Sequence, residues 1–152
     1  MDAQELRAQQ APLKERYKEH PESALVTLRA SGRIGENATI AVKTWNGEVT
    51  AGLHPATGGH GKDACSGDML LEALVACSGV TLAAVATAMG IALRSTKIHA
   101  EGDIDFRGTL GVSKETPVGF QRIRLRFELD TDASDAELAT LMKLTERYCI
   151  VY

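Results

Sequence analysis

Apolar positions recur with different periods along this chain, and one block stands apart from the rest. Leu70 to Gly90 (LLEALVACSGVTLAAVATAMG) is apolar nearly all round, broken by Glu72, Ser78, Thr81 and Thr87. That length and pattern predict a helix buried against a sheet or a second helix. The polar interruptions and the preceding Asp68 favour a soluble core helix over a membrane span. Ser66 or Asp68 is a candidate N-cap, and Gly90 is a candidate C′ residue.

Upstream of this helix the pattern is β-like. Ala24 to Ala30 (ALVTLRA) reads as a strand, followed by a turn around Ser31, Gly32 and Arg33. TIAVKTW and EVTAGL, separated by Asn46-Gly47, read as a hairpin with a type I′ turn, which needs positive φ at both central residues. Downstream, KIHAEGDIDFRG sets Ile98, Ala100, Gly102, Ile104 and Phe106 against an acidic face of Glu101, Asp103 and Asp105. FQRIRLRFEL sets Ile123, Leu125, Phe127 and Leu129 against Arg122, Arg124 and Arg126. The acidic and basic stripes should pair across a ladder, which makes the arginines a salt-bridged, solvated face rather than a phosphate site. Ser134 to Glu137 is a capping-box start, and Leu138, Leu141 and Leu144 give the last helix its apolar stripe.

The order of elements is β-meander, buried helix, strands, helix, an α+β domain with helices against antiparallel sheet. Residues 1–22 form a polar helical arm punctuated by Pro12 and Pro21, and residues 23–152 form the domain proper. The arm is too poor in apolar residues for a core of its own, so it should pack on a partner surface or another subunit.

Composition narrows the function classes. The chain has 152 residues, 44% apolar and 24% charged, as expected of one soluble domain. A net charge of −3 does not suggest a nucleic-acid or anionic-membrane partner. Met1 to Pro21 has no apolar core of the kind a secretory signal needs. Three scattered cysteines do not make a secreted disulfide scaffold, and a reducing cytoplasm is the expected compartment.

The chemistry rests on those cysteines. Cys77 lies within the apolar helix and Cys149 near the end of the last helical segment, 72 positions later. Each alone reads as a packing residue, since free cysteine is commonly buried. Together they read as a nucleophile and its resolving partner, provided tertiary structure joins them. Cys65 is a loop thiol. His54, His60, Asp63 and Cys65 are all metal-capable, but their spacing matches no compact zinc motif, and no metal is expected.

SGDMLLEALVACSGVTLAAVATAMGI and LMKLTERYCIVY resemble the OsmC/Ohr family of thiol-dependent peroxidases, with the likeness running from about Ala24 to the C-terminus. The resemblance implies an OsmC-like fold, an intertwined homodimer with antiparallel sheets wrapped around long central helices and active sites at the dimer interface. It implies no cofactor. Cys77 falls on the peroxidatic position and Cys149 on the resolving one. The family's arginine, which holds thiolate and peroxide, falls best on Arg33, with Arg29 a weaker match. The glutamate that orients it falls near Asp68, one methylene shorter, with Glu72 one turn later. Gly67-Asp68 stands where the family usually has Pro-Glu, and the usual proline after Cys149 is missing.

The implied activity is stress defence by reduction of organic hydroperoxides, reset by a dithiol reductant. Cys77 is too far along its helix for the N-terminal dipole to help, so a guanidinium must supply the charge that a thiolate needs. Apolar surroundings favour an organic hydroperoxide over hydrogen peroxide. The competing reading is a protein of the same fold that binds a small apolar ligand and reduces nothing.

Overall fold

The computed structural model describes all residues, Met1–Tyr152. It contains helix α1 (Ala3–Glu19), strands β1 (Ser31–Ile34), β2 (Ile40–Thr44) and β3 (Gly47–Ala51), helix α2 (Ser66–Met89), strand β4 (Ser95–Ile104), the short helix α3 (Phe106–Thr109), strand β5 (Phe120–Asp130) and helix α4 (Asp135–Tyr148). The α+β expectation holds. The chain divides into two compact units, one made of Met1–Leu28, Leu74–Ile98 and Arg126–Tyr152, the other of Arg29–Ala73 and His99–Leu125.

The first unit holds the buried core. Leu74, Ser78, Leu82 and Ala86 recur every fourth residue and form the buried stripe of α2, the spacing that keeps side chains on one helix face. Leu82 and Ala86 meet Leu141 of α4, and Val85, Ile98, Phe127, Leu129, Leu138 and Met142 pack around them. α4 starts as the sequence predicts: the Ser134 side chain accepts from the N–H of Glu137, and the Glu137 carboxylate accepts from the N–H of Ser134. α2 also stops where predicted. Gly90 adopts φ +72, its N–H bonds Thr87 O and the Ile91 N–H bonds Ala86 O, the paired hydrogen bonds of a Schellman end. By length and composition alone α2 could cross a membrane; here one side of it is the wall of a mixed α/β core.

The second unit carries the antiparallel sheet β1-β2-β3. Two expectations are corrected. Leu25 to Ala30 follows a 3-10 turn at Pro21–Ala24 and has no ladder partner, and the residues read as a turn, Ser31 to Arg33, are strand β1 instead. β-propensity made ALVTLRA look like a strand, but a strand exists only where another edge satisfies its backbone. The hairpin forms, with its turn one residue earlier than expected: Thr44 pairs with Gly47, so Trp45 and Asn46 occupy the corner. Of Asn46 and Gly47, Gly47 alone has positive φ.

β4 pairs with β5, and the charged stripes meet as expected. Within the second unit, Arg124 forms ion pairs with Asp103 and Glu101. β4 ends at Ile104, not at Arg107. The Asp105 carboxylate accepts from the N–H of Arg107 at 3.0 Å and caps α3, so the local cap beats extension of the strand. Gly102 leaves room for the Phe120 ring, which a Cβ there would overlap.

Candidate active site

Cys77 sits on α2 beside the buried stripe, and Cys149 is the C-cap residue of α4. α4 reaches its place because Leu141 is fully buried against α2. It ends because Cys149 turns extended, at φ −73 and ψ 123, while its N–H still bonds Thr145 O at 3.0 Å. The outcome is a contact across 72 residues of sequence: the two sulfurs lie 3.2 Å apart, within the first unit. A disulfide measures about 2.05 Å, so no bond joins the pair, and both cysteines are free.

The surroundings of Cys149 act on its thiol in opposite directions. Burial pushes the Cys149 thiol up, and its exposure is 8%. Hydrogen bonds from the Cys77 thiol, the backbone N–H groups of Val151 and Tyr152 and the Thr81 hydroxyl outweigh that penalty and hold the thiol below its ordinary value. Either thiol can donate across the 3.2 Å contact; with Cys149 ionised, Cys77 donates. Thr81 was not singled out in the sequence. It could have been: it stands one helical turn past Cys77, on the same side of α2. Two other buried hydroxyls are not available for chemistry. Ser78 bonds Leu74 O at 2.7 Å, and Thr145 bonds Leu141 O at 2.8 Å.

An apolar groove of about 580 Å³ runs beside the dithiol in the same unit. Its walls include Val80, Thr81, Ala84 and Ala88 of α2, Leu144 and Tyr148 of α4, and Leu6 of α1. Thr81 belongs to both groove wall and dithiol. The volume is that of an ordinary small-molecule site.

Arg33 and Asp68 belong to the second unit. Arg33 lies on β1 opposite Ala41, with its side chain exposed. Asp68 is in the first turn of α2, also exposed, where its charge suits the helix N-terminus. α2 begins at Ser66, and the carbonyl of the preceding Cys65 receives the Met69 N–H. No three metal-capable side chains gather. His54 is occupied structurally: its Nδ1 accepts from the Ala56 N–H at 3.0 Å, and its ring stacks on Phe106.

Fold and site together describe a small α+β protein with a reduced dithiol held by two helices. The family described as OsmC-like protein matches residues 59–152, and the chain belongs to that family. Solved structures share the fold. An OsmC-like protein from Mycoplasma pneumoniae aligns at TM-score 0.68 and 18% identity, over 83% of this chain and 84% of its own. An organic hydroperoxide resistance protein OsmC from Legionella pneumophila aligns at 0.64 and 20%, over 84% and 87%. The organic hydroperoxide resistance protein OhrB of Bacillus subtilis aligns at 0.53 and 18%, over 82% and 87%. At these identities the likeness establishes the fold. No curated protein matches the chain.

Proposed function

We propose that this protein is a soluble, cytoplasmic thiol peroxidase that reduces organic hydroperoxides, with Cys77 as the peroxidatic residue and Cys149 as the resolving one. The observation that carries the reading is the 3.2 Å approach of two reduced sulfurs from opposite parts of the sequence. The Cys77 thiolate attacks the terminal peroxide oxygen; the O–O bond breaks, and the alkoxide leaves and takes a proton. The resulting Cys77 sulfenic acid condenses with the Cys149 thiol, releasing water and forming the disulfide. An external dithiol reduces that disulfide and is itself oxidised. A lowered Cys149 thiol suits a leaving group, so the reductant attacks the Cys77 sulfur.

Arg33, oriented by Asp68, supplies the positive charge at the site in this reading, and a homodimer completes it. Exposed apolar side chains on the sheet of the second unit support the dimer: Ile34 is 83% and Trp45 96% exposed. Trp45 is the sole tryptophan, so its emission reports on that surface alone. Dilution to monomer should shift it to the red, with the mass followed by sedimentation; a fixed emission through dissociation would remove Trp45 from the interface.

A second reading exchanges the two roles, because the donors that stabilise a thiolate converge on Cys149. One experiment tests both. Reduced protein receives one equivalent of cumene hydroperoxide, followed by peptide mapping, and Cys77→Ser and Cys149→Ser are treated with a sulfenic-acid trap. A rapid Cys77–Cys149 disulfide in the parent, with trapped sulfenic acid in Cys149→Ser but not in Cys77→Ser, supports the first reading. The opposite trapping pattern supports the exchange. Slow oxidation scattered over all three cysteines sinks both and favours a ligand-binding protein.

A further inference from the structure

The reduced pair has a second capacity that involves no peroxide. We propose that Cys77 and Cys149 form a chelating site for trivalent organoarsenicals, with the organic substituent seated in the adjoining apolar groove. The argument starts from the bite of the pair. Two sulfurs 3.2 Å apart, each about 2.3 Å from a shared centre, subtend about 90° there, whereas a tetrahedral zinc with the same bonds needs them about 3.8 Å apart. A near-right angle is the angle of a pyramidal atom carrying a lone pair, and trivalent arsenic is such an atom. It is also soft, as thiolates prefer. Tetrahedral zinc is disfavoured a second time, since no third metal-capable side chain joins the two sulfurs.

The surroundings fit the rest of the molecule. Arsenic bound to two sulfurs keeps one further substituent. Thr81, which touches Cys149, opens onto the groove lined by Val80, Ala84, Leu144 and Tyr148. On α2, Cys77, Val80, Thr81 and Ala84 follow the spacing of one helix face, so an aryl group leaving the arsenic along that face enters apolar surroundings. The site therefore suits an arylarsenical better than arsenite, because an aryl ring buries apolar area against Val80, Ala84 and Leu144 that a hydroxyl does not.

The reaction is an exchange without oxidation. An arsonous acid carries one organic group and two hydroxyls. Two As–O bonds break, two As–S bonds form, and each departing hydroxyl takes a thiol proton and leaves as water. The ring closure gives chelation an entropic advantage over two independent monothiols, as for any linked pair of binding groups. Capture needs the two thiols in reach of one atom, and it stands or falls separately from peroxide reduction. It does imply mutual exclusion: the disulfide cannot bind arsenic, and the arsenic adduct cannot form the disulfide.

The probe is phenylarsine oxide, which hydrates to the arsonous acid. Full-length reduced protein is mixed with one equivalent, challenged with excess glutathione, and examined by intact mass and by alkylation mapping. One phenylarsenic group per chain should survive the monothiol and be released by dimercaptopropanol. Cys77 and Cys149 should be shielded from alkylation while Cys65 is not; this mapping uses the unaltered chain and does not depend on any variant folding. Cys77→Ser and Cys149→Ser should each lose the glutathione-resistant adduct, and Cys65→Ser should keep it, with circular dichroism confirming the fold of each. Loss of the parent adduct to glutathione as fast as in Cys149→Ser would overturn the chelate. So would its retention in both single variants. Competition by arsenite should be weaker by at least about tenfold, or 1.4 kcal/mol; equal competition would overturn the role of the groove. Cumene hydroperoxide turnover on the same preparation separates a failure of this inference from a failure of the peroxidase reading.

Discussion

The two units of this chain treat their candidate site residues in opposite ways. In the first, Cys77 and Cys149 are fixed from behind by interlocked apolar side chains, and the polar groups near them are already engaged. In the second, Arg33 and Asp68 project into solvent from a sheet and a helix end, while the neighbouring Ile34 and Trp45 are bare. One half of the proposed chemistry is thus preorganised within a single chain. The other half is held by elements whose exposed apolar surface still calls for a cover.

The largest expected effect breaks the preorganised half. Leu141→Ala removes a fully buried side chain from the α2–α4 contact and should cost about 2–5 kcal/mol in urea unfolding. Because α4 positions Cys149, disulfide formation should slow even at temperatures where the variant remains folded. Arg33→Met attacks the other half. Peroxide turnover should fall by about 10²–10³-fold, the scale for losing a charge-stabilising group. Stability should change by no more than about 0.5 kcal/mol, as for exposed positions. Arg33→Lys should restore little, because a point charge does not reproduce a planar fork. Retained turnover in Arg33→Met would move the charge to another cation.

Smaller changes sharpen the contrast. Thr81→Val removes a donor from the Cys149 sulfur, so the thiolate loses support and its ionisation, followed by ultraviolet absorbance, moves to higher pH. Reduction of the disulfide should slow in parallel if Cys149 is the leaving group. The smallest effect is expected from the surface ion pairs. Arg124 and Arg94 hold the Asp103 and Asp130 carboxyls below the usual carboxylate range through side-chain hydrogen bonds. For such depressed acids, stability is present above their ordinary range and is lost as pH falls through their lowered values. Acid should therefore lower the melting temperature slightly, and Arg124→Gln should flatten part of that slope. These groups are exposed, so a large change would point elsewhere.

Much of the first unit was legible because its signals are local. The apolar run of α2, the Schellman end at Gly90 and the capping box at Ser134 are each encoded within a few residues. What failed was pairing. ALVTLRA has strand-like residues but no edge to bond, and Arg33, read as part of a turn, found one. Registers depend on partners far along the chain, and β-propensity does not name them. The same holds at the site. Spacing could not bring Cys77 to Cys149, although it does set Thr81 one turn from Cys77 on the same side of α2. The four metal-capable residues before α2 looked like a cluster in one dimension, but His54 was already committed to a turn and to Phe106.

Cys149 is the last residue tied into α4 through its N–H. Helix ends fray, and their amides exchange with solvent through small local openings that leave the core intact. Once a covalent bond joins Cys149 to α2, that fraying has to pull against the most deeply rooted helix in the protein. Oxidation should therefore be readable at a distance from sulfur, as slower deuterium uptake in the final turn of α4. A peroxide pulse would tighten the end of the chain, and a reductant would let it loosen again.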